Sequence, residues 1–204
     1  LNIMNKTILS IETSTNICSV SLFKDNKLIV LKEDSNRKHS SLLASFVDQI
    51  FKETALNINL IDAIALSIGP GSYTGLRIGL SFTKGIAFAI KKPIIPIDTI
   101  ESLETEIDDS NYMIAINAYS NYFFIQEYKN NARFGTPFFD TFEKINYNNN
   151  IYGYGLKESS SCFNIAPSSV KIANIAYKKY DKYKCDNIKL IKPNYIKPLQ
   201  FNIK

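Results

Sequence analysis

A glycine-rich loop constrains the fold of this 204-residue chain more than any other feature. Residues 69–75 read Gly-Pro-Gly-Ser-Tyr-Thr-Gly, and they join an apolar strand at 62–68 to a helix that extends to about residue 90. Strand–loop–helix units of this kind are typical of α/β folds. Backbone amides in the loop could turn toward an anion, aided by the positive helix N-terminus. Alternatively, the glycines form a tight turn that lets the helix pack closely.

The loop matches neither of the two common nucleotide-binding loops. A Walker A loop closes with Gly-Lys-Ser/Thr, which is absent here, and Lys84 lies too far along the helix. The dinucleotide fingerprint has the spacing Gly-x-Gly-x-x-Gly, whereas Gly69, Gly71 and Gly75 are spaced one residue wider. The sequence therefore predicts a different kind of α/β domain.

Residues 7–107 predict the element order β-β-β-α-β-α-β-α. Three short strands joined by tight turns open the chain as an antiparallel meander. Apolar residues such as Leu42, Phe46 and Ile50 then recur at the spacing of one helical face, and Ser40 or Ser41 could cap that helix. Three antiparallel strands followed by βαβ units are typical of half of an actin-like or ribonuclease-H-like domain.

The remaining residues predict a second, shorter version of the same arrangement. Three more strands fall within 113–139, another lies near 151–154, and helical spacing resumes at 168–183. We therefore predict an α/β, actin-like (ribonuclease-H-like, ASKHA) fold with two related subdomains, 1–107 and 108–204. The second subdomain is reduced, and the last residues of the chain could return to the first.

The helix after the loop is apolar on nearly all sides, from Leu76 and Ile78 to Phe88 and Ile90. Such a helix is buried on two sides, and the sheet of a chain this size covers only one of them. Small residues such as Gly79 would let a second helix approach closely. The pattern predicts a helix-mediated interface with a partner subunit.

The only histidine, His39, excludes several chemistries. A site with two histidine ligands cannot be built, and Cys18, Cys162 and Cys185 are too scattered for a zinc knuckle or a disulfide framework. We predict no metal site and a reducing, cytoplasmic location. His39 stands at a helix start without a nearby carboxylate, so a surface or capping role suits it better than general-base catalysis. No run of about 18 apolar residues predicts a membrane span.

Glu12, Thr13 and Ser14 follow the first strand and, with Gly69 and Gly71, form a candidate vestigial phosphate site. Acidic and hydroxyl side chains at this place approach nucleotide phosphate and magnesium in actin-like phosphotransferases. The alternative is an ordinary strand end where a hydroxyl side chain caps the backbone.

The net charge of +5 is concentrated at the carboxyl end. Residues 171–204 contain nine lysines and two aspartates, whereas residues 1–170 carry a balance of −2. A basic segment can contact nucleic-acid phosphates. Composition offers another explanation, because Ile, Asn and Lys make up 72 residues and Arg only three, as an AT-rich genome would produce. Lys also lacks the forked donors that RNA-reading surfaces favour.

Four segments together resemble the bacterial TsaB (YeaZ) family, whose members are non-catalytic paralogues of TsaD. They are residues 8–14, the helix opening at 37–40, the loop at 69–79 and the closing Pro-Asn-Tyr-Ile-Lys at 193–197. The loop is the most specific of the four. The resemblance is dense in the first half of the chain and thin in the second.

The resemblance implies an accessory scaffold subunit that is not itself an enzyme. Such a subunit supports transfer of a threonylcarbamoyl group to N6 of the adenosine 3′ of the anticodon, in tRNAs that read codons beginning with A. The implied partners are the catalytic paralogue TsaD, which holds its metal with two histidines, and the ATPase TsaE. It also implies that tRNA is reached only through the complex. No cofactor is expected on this chain alone, although ATP or ADP could bind where subunits meet, and a homodimer could form without the partner.

The same resemblance places the contact with TsaD on the first two helices, about His39–Thr54 and 75–90. The implied interface residues are His39, Leu43, Phe46, Ile50, Ser72, Tyr73, Thr74, Gly75, Arg77, Gly79 and Phe82. Gly79→Arg would then abolish partner binding and leave the fold intact, unless Gly79 faces the sheet, in which case the protein would unfold.

The sequence departs from the family pattern at both ends of its second half. The usual Asp-Ala-Arg at the start of the second subdomain has Asn117 and Tyr119 in place of the charged pair, and Lys197 replaces the closing Arg. Leu1 stands where a start methionine is usual, and Met4 could be the true start.

The alternative function is a small actin-like ATPase or sugar kinase acting alone. It would use Glu12, Thr13 and the glycine-rich loop to bind phosphate. Such enzymes need a second phosphate loop, for which Gly153 and Gly155 are the nearest candidates in the second half.

Overall fold

The computed structural model describes residues 5–36, 38–145, 149–157 and 159–196. The first half contains β1 (Thr7–Glu12), β2 (Cys18–Lys24), β3 (Lys27–Asp34), α1 (His39–Thr54), β4 (Ala63–Ser67), α2 (Tyr73–Ile90), β5 (Ile94–Ile97) and α3 (Thr99–Glu104). The second contains β6 (Tyr112–Tyr119), β7 (Tyr122–Lys129), β8 (Ala132–Thr141), β9 (Asn150–Tyr154), β10 (Cys162–Asn164), α4 (Ser169–Lys178) and α5 (Tyr180–Tyr183). Short 3-10 helices lie at Ile58–Leu60, Phe142–Lys144 and Ile188–Leu190.

The first sheet has the strand order β3-β2-β1-β4-β5. Its first three strands are antiparallel, and β4 and β5 run parallel to β1. Asp25 and Asn26 adopt positive φ in the turn between β2 and β3, a conformation that Asp and Asn tolerate well. The predicted element order of this half is confirmed.

Strand β1 is buried on both faces, as a central strand covered by helices on both sides of its sheet should be. Leu9 and Ile11 pack in one cluster with residues of α1 and α2. Ile8 points the other way and packs with Ile172 and Ile175 of α4. The first sheet is therefore sandwiched between α1 and α2 on one side and a helix from the second half on the other.

Three of the five α-helices in the described ranges, α2, α3 and α4, begin with a side-chain cap, which for α4 is Ser168. Ser72 caps α2 by accepting a hydrogen bond from the Gly75 amide at 3.2 Å, and Asp98 caps α3 by accepting one from Glu101 at 3.0 Å. The expected cap of α1 by Ser40 or Ser41 is wrong. That helix begins at His39, after Lys38, whose side chain makes no capping bond.

The second sheet repeats the first with the order β10-β9-β6-β7-β8. β6, β7 and β8 form an antiparallel meander, while β9 and β10 are parallel additions. Between β8 and β9, where the first half has α1, the described residues contain only the 3-10 helix Phe142–Lys144. The actin-like architecture with a reduced second half is confirmed. β10 went unpredicted, because three residues are too few to show a period.

The two halves exchange helices. Ile100 and Leu103 of α3 pack on the second sheet, whereas α4 packs on the first. After α4 the chain stays with the first half: Cys185 pairs with the β5 backbone, and the Asn194 amide donates to the Ile68 carbonyl at 2.7 Å. The return to the first sheet thus begins at Ser169. In the described ranges, no helix is long and apolar enough to cross a membrane.

Candidate functional site

The glycine-rich loop packs tightly on the end of β1. A Cβ atom at Gly71 would lie 2.3 Å from the Ser14 carbonyl oxygen, and one at Gly75 would lie 2.1 Å from that of Thr13. The Ser72 amide donates to the Ser14 carbonyl at 2.6 Å. Only a residue without Cβ permits such an approach. Close packing is therefore the observed role of these glycines.

Gly79 also faces the interior. A Cβ atom there would lie 2.2 Å from Thr13 Oγ1 and 3.3 Å from Leu66 Cδ1. The prediction that Gly79 admits a second helix is wrong, because the thin face of α2 lies against its own sheet. Gly79→Arg would consequently disrupt the fold and would not test partner binding.

Glu12 and Thr13 lie inside the protein. Glu12 is fully buried; its Oε1 accepts a hydrogen bond from the Ser14 amide, and its Oε2 has no hydrogen-bond partner among the described residues. Burial raises the pKa of the Glu12 carboxyl above its usual 4.5, although hydrogen bonds with Ser14 oppose the shift. Thr13 Oγ1 donates to the Gly75 carbonyl at 2.9 Å. Both side chains are thus buried and hydrogen-bonded within the protein, where they cannot contact a phosphate.

A cleft of about 550 Å³ opens between the two halves. Its lining comes from the ends of β1, α1 and α2 on one side and from β6, its turn and β9 on the other. The lining residues are Ser14, Thr15, Asn16, His39, Ser40, Ser72, Thr74, Gly75, Ile78, Asn117, Ala118, Tyr119, Ser120 and Tyr154. Of the five residues grouped as a phosphate site, only Ser14 lines this cleft. Glu12, Thr13, Gly69 and Gly71 are buried and do not line it.

The cleft is polar but carries almost no charge. Its described lining residues carry hydroxyl and amide side chains and one imidazole, and none of them is Asp, Glu, Lys or Arg. The N-termini of α1 and α2 both reach it, and neither helix has an acidic residue in its first turn. No group of three or more His, Cys, Asp and Glu side chains that could hold a metal occurs in the part of the chain described. The described part of the cleft therefore offers none of the carboxylates and lysines that usually hold a magnesium nucleotide.

His39 is a buried structural residue that caps no helix amide, so the expected surface or capping role is wrong. Its Nε2–H donates to the Thr15 carbonyl at 2.9 Å, which ties the start of α1 to the loop after β1. Burial lowers the pKa of His39 below its usual 6.5, while the bond to Thr15 and the charge of Asp34 oppose the shift. This arrangement gives His39 no carboxylate partner for acid–base work.

The predicted partner interface divides into inward and outward residues. Five members are buried within the chain itself, although His39 and Gly75 also line the cleft: His39, Leu43, Ile50, Gly75 and Gly79. The prediction of an outward-facing interface is wrong for Leu43, Ile50 and Gly79, since they pack against the first sheet or the end of β1. Six remain at least partly exposed: Phe46, Ser72, Tyr73, Thr74, Arg77 and Phe82.

The outward side of α2 extends further than the sequence indicated. We define the outer stripe of α2 as Thr74, Arg77, Ile78, Ser81, Phe82, Gly85 and Phe88, all exposed or half-buried. Phe88 is 76% exposed. A Cβ atom at Gly85 would meet nothing within 4 Å. Gly85 and Phe88 were missed as site residues, although steps of four, four and three residues lead from Arg77 through Ser81 and Gly85 to Phe88.

Asn117 and Tyr119, the two departures from the expected pattern, both lie on the cleft wall. The Asn117 side-chain amide donates to the Ser120 carbonyl at 3.0 Å and so braces the turn after β6. Tyr119 is exposed, and its ring lies 5.3 Å from Tyr122 and 6.0 Å from Phe139. The third departure, Lys197, lies outside the described residues, as do Leu1, Met4 and Arg37.

Part of the basic carboxyl-terminal segment is engaged within the chain. Lys171 pairs with Glu106 at 2.7 Å, and Lys179 pairs with Glu101. These two lysines therefore neutralise carboxylates of this chain, since Glu101 lies in α3 and Glu106 in the turn after it. Contact of the segment with RNA stays a prediction.

A family model for TsaD, described as tRNA N6-adenosine threonylcarbamoyltransferase, matches residues 29–159, which is more than half of the chain. The chain belongs to the TsaD family. Within this family it is similar to the "tRNA threonylcarbamoyladenosine biosynthesis protein TsaB" of Haemophilus influenzae, with 35% identity over 99 residues, 48% of this chain and 42% of that one. The TsaB of Buchnera aphidicola subsp. Baizongia pistaciae is 27% identical over 180 residues, 84% of this chain and 72% of its own. The predicted resemblance to TsaB is confirmed.

A solved structure supports the fold of this TsaD-family chain. YeaZ from Pseudomonas aeruginosa matches with a TM-score of 0.76 and 21% identity, over 93% of this chain and 99% of that one. This match shows the fold alone. The chain spans less than half of the Haemophilus relative, so the activity and partners of a whole TsaB protein come to it only as a proposal.

Proposed function

We propose that this chain is a non-catalytic scaffold subunit, which docks on a catalytic member of its own family and stabilises it for threonylcarbamoyl transfer to tRNA adenosine in the cytoplasm. Membership of the TsaD family and similarity to TsaB proteins support this proposal. The observation that carries it is the outer stripe of α2, where the exposed Phe88 and Gly85 adjoin Ile78 and Phe82, whose side chains the described residues cover only in part.

The composition of the cleft supports an accessory role over catalysis. The sequence contains one histidine, and the fold uses it to fix the start of α1. Glu12 lies two residues before Ser14 of the cleft lining, but its side chain is fully buried in the interior. A side chain that touches neither solvent nor the cleft can serve neither as a general base nor as a magnesium ligand.

The kinase alternative also loses its candidate second phosphate loop. A Cβ atom at Gly153 would lie 1.7 Å from the Ala115 carbonyl oxygen, so this glycine permits close pairing of β9 with β6. Gly155 has a φ of +75° and faces Asn117. Both glycines have structural roles, and the geometry favours the scaffold over a free-standing ATPase.

The outer stripe has the features of a helix-docking surface. Ser81 and Gly85 keep the middle of α2 thin, which permits close approach of a partner helix, while Phe82 and Phe88 can act as aromatic anchors. On this proposal the catalytic TsaD subunit covers the stripe, TsaE joins the complex, and ATP or ADP binds at the seam between subunits. Without the partner, two copies could cover the same stripe through a two-fold interface.

Gly85→Arg tests the docking surface directly. The site is open, and arginine is a better helix former than glycine, so the fold should be kept or slightly stabilised. The bulky cation should weaken binding to a purified catalytic TsaD-family subunit by about 10-fold or more, measured by isothermal titration calorimetry. Asn174→Arg adds the same side chain at an exposed position of α4 and should bind as the wild type does. Equal affinity of the Gly85→Arg chain would rule out this surface.

A further inference from the structure

Arg77 takes part in a three-residue cluster at the start of the outer stripe. Its guanidinium carbon lies 3.9 Å from the centroid of the Tyr73 ring. Its Nε–H donates to the Tyr195 hydroxyl at 3.3 Å, and the rings of Tyr73 and Tyr195 are 5.2 Å apart. We call Tyr73, Arg77 and Tyr195 the Arg77 cluster. It joins α2 to a residue more than a hundred positions later in the sequence.

The carboxyl-terminal segment is anchored just before Tyr195. The Asn194 amide donates to the Ile68 carbonyl at 2.7 Å, and its side chain donates to Asp98 Oδ2 at 3.1 Å. A Cβ atom at Gly69 would lie 3.0 Å from the Asn194 carbonyl oxygen, so the segment runs directly over the glycine-rich loop. These contacts fix where the Tyr195 ring meets α2.

Arg77 has no acidic partner of its own. Among the described residues, no carboxylate lies within ion-pair distance of it, whereas Arg133 pairs with Asp98 and Glu104. Arg77 is nevertheless exposed and held in place by one stacked ring and one hydrogen bond. A guanidinium fixed in this way loses little side-chain entropy on pairing, and its forked N–H groups match the two oxygens of a carboxylate.

We propose that the Arg77 cluster binds a carboxylate side chain of the catalytic partner, and that the carboxyl-terminal segment is therefore part of the partner-binding surface. This inference rests on the proposed function, because it names a contact within that interface. Tyr195 is 41% exposed, so it can contact the partner while it orients Arg77. Arginine and tyrosine beside an apolar stripe are the residues in which interface binding energy concentrates.

The surroundings of Arg77 favour a protein carboxylate over an RNA phosphate. Arg77 is the only cation on the outer stripe. The next cation along α2, Lys84, donates to the carbonyls of Lys189 at 3.5 Å and Ile191 at 2.8 Å, so it is occupied within the chain. Surfaces that bind RNA phosphates rely on several cations together, and the outer stripe presents one.

The test uses the full chain and a purified catalytic TsaD-family subunit without tRNA, with affinity measured by calorimetry at low and moderate salt. Arg77→Ala should weaken binding about 10- to 100-fold, and Arg77→Lys should restore only part of it because an ammonium lacks the fork. Tyr195→Phe keeps the ring and removes the hydroxyl, so it should lose about threefold, whereas Tyr195→Ala should lose more. Lys178→Ala removes an exposed cation from α4 and should have no effect.

The outcomes separate this inference from the proposed function. If the wild-type chain does not bind the catalytic subunit, the proposed function fails. If the wild type binds and Arg77→Ala binds equally well, the carboxylate contact is wrong and the proposed function stands. If Arg77→Ala weakens only the binding of added tRNA to the complex, a phosphate occupies the cluster and the inference is overturned. Restored binding between Arg77→Glu and a partner with one acidic residue changed to arginine would establish the pair.

Discussion

Glu12 places an ionisable group in the interior, and this affects stability more than function. Burial raises the pKa of its carboxyl, so the folded state holds the proton to a higher pH than the unfolded state does. The stability that follows from this difference is fully present below about pH 4.5, and it is lost as the pH rises through the folded-state pKa. Above that pKa, the protein keeps a buried charge with one oxygen unpartnered.

Glu12→Gln should therefore stabilise the protein at neutral pH. The amide oxygen can still accept the Ser14 bond, while the buried charge is removed. We expect a gain of about 1–3 kcal/mol at pH 8 and little change at pH 4, measured by urea unfolding across that range. Glu12→Asp keeps the charge and serves as the control. A loss of stability at pH 8 for Glu12→Gln would contradict this account, because it would mean that the fold stabilises the buried carboxylate more than a neutral amide.

His39 titrates in the opposite sense. Burial lowers its pKa, so the unfolded state takes up a proton first as the pH falls. The neutral His39 ring makes its full contribution to the free energy of unfolding above about pH 6.5. That contribution decreases as the pH falls toward the folded-state pKa. His39→Gln should remove this pH dependence, and the difference in unfolding free energy between the two proteins should shrink from pH 7 to pH 5. A constant difference over that range would contradict a buried neutral imidazole.

At the scale of the single helix, α2 carries two glycines with opposite roles. Gly79→Ala should destabilise the protein by about 1–3 kcal/mol, since the added methyl group would overlap Thr13 Oγ1. Gly85→Ala should stabilise it by roughly 1 kcal/mol, because the site is open and alanine favours the helix. Thermal unfolding of the two variants is a matched comparison within one helix. Similar shifts in both would show that Gly79 is not packed against β1.

Which side of α2 packs on the sheet could not be predicted from its sequence. Leu76, Leu80 and Ala87 face the sheet, while Ile78, Phe82 and Phe88 face outward, and all six are apolar. Hydrophobic periodicity separates the two sides of a helix only where one of them is polar. The sequence could therefore predict that α2 has a second apolar face, but it could not predict which residues lie on that face.

Glycine positions show the same limit. The pattern Gly-x-Gly after a strand is compatible with an anion loop and with a close-packed turn. Only the distances from Gly71 and Gly75 to the carbonyls after β1 distinguish the two. Strand and helix order, by contrast, was predictable, because turns such as Asp25-Asn26 and caps such as Asp98 act locally.

At the scale of the whole molecule, the two halves are interlocked through exchanged helices. The face of the first sheet that carries Ile8, Ala65 and Ile97 is covered by α4, which comes from the far end of the chain. The second sheet in turn depends on Ile100 and Leu103 of α3. Each half completes the core of the other, so unfolding of the whole chain should be one cooperative event.

Residues 1–107 alone should accordingly fail to fold. The fragment keeps β1 to β5 and the helices α1 to α3, but it loses every α4 side chain that covers Ile8 and Ile97. One face of the sheet is then exposed to water. Circular dichroism and hydrogen exchange of the isolated fragment should show little protected structure. Co-expression with residues 108–204 should restore a folded complex, because the second fragment supplies α4 in trans. A fragment 1–107 that unfolds cooperatively on its own would show that the first half is an independent domain, and it would remove the requirement for α4.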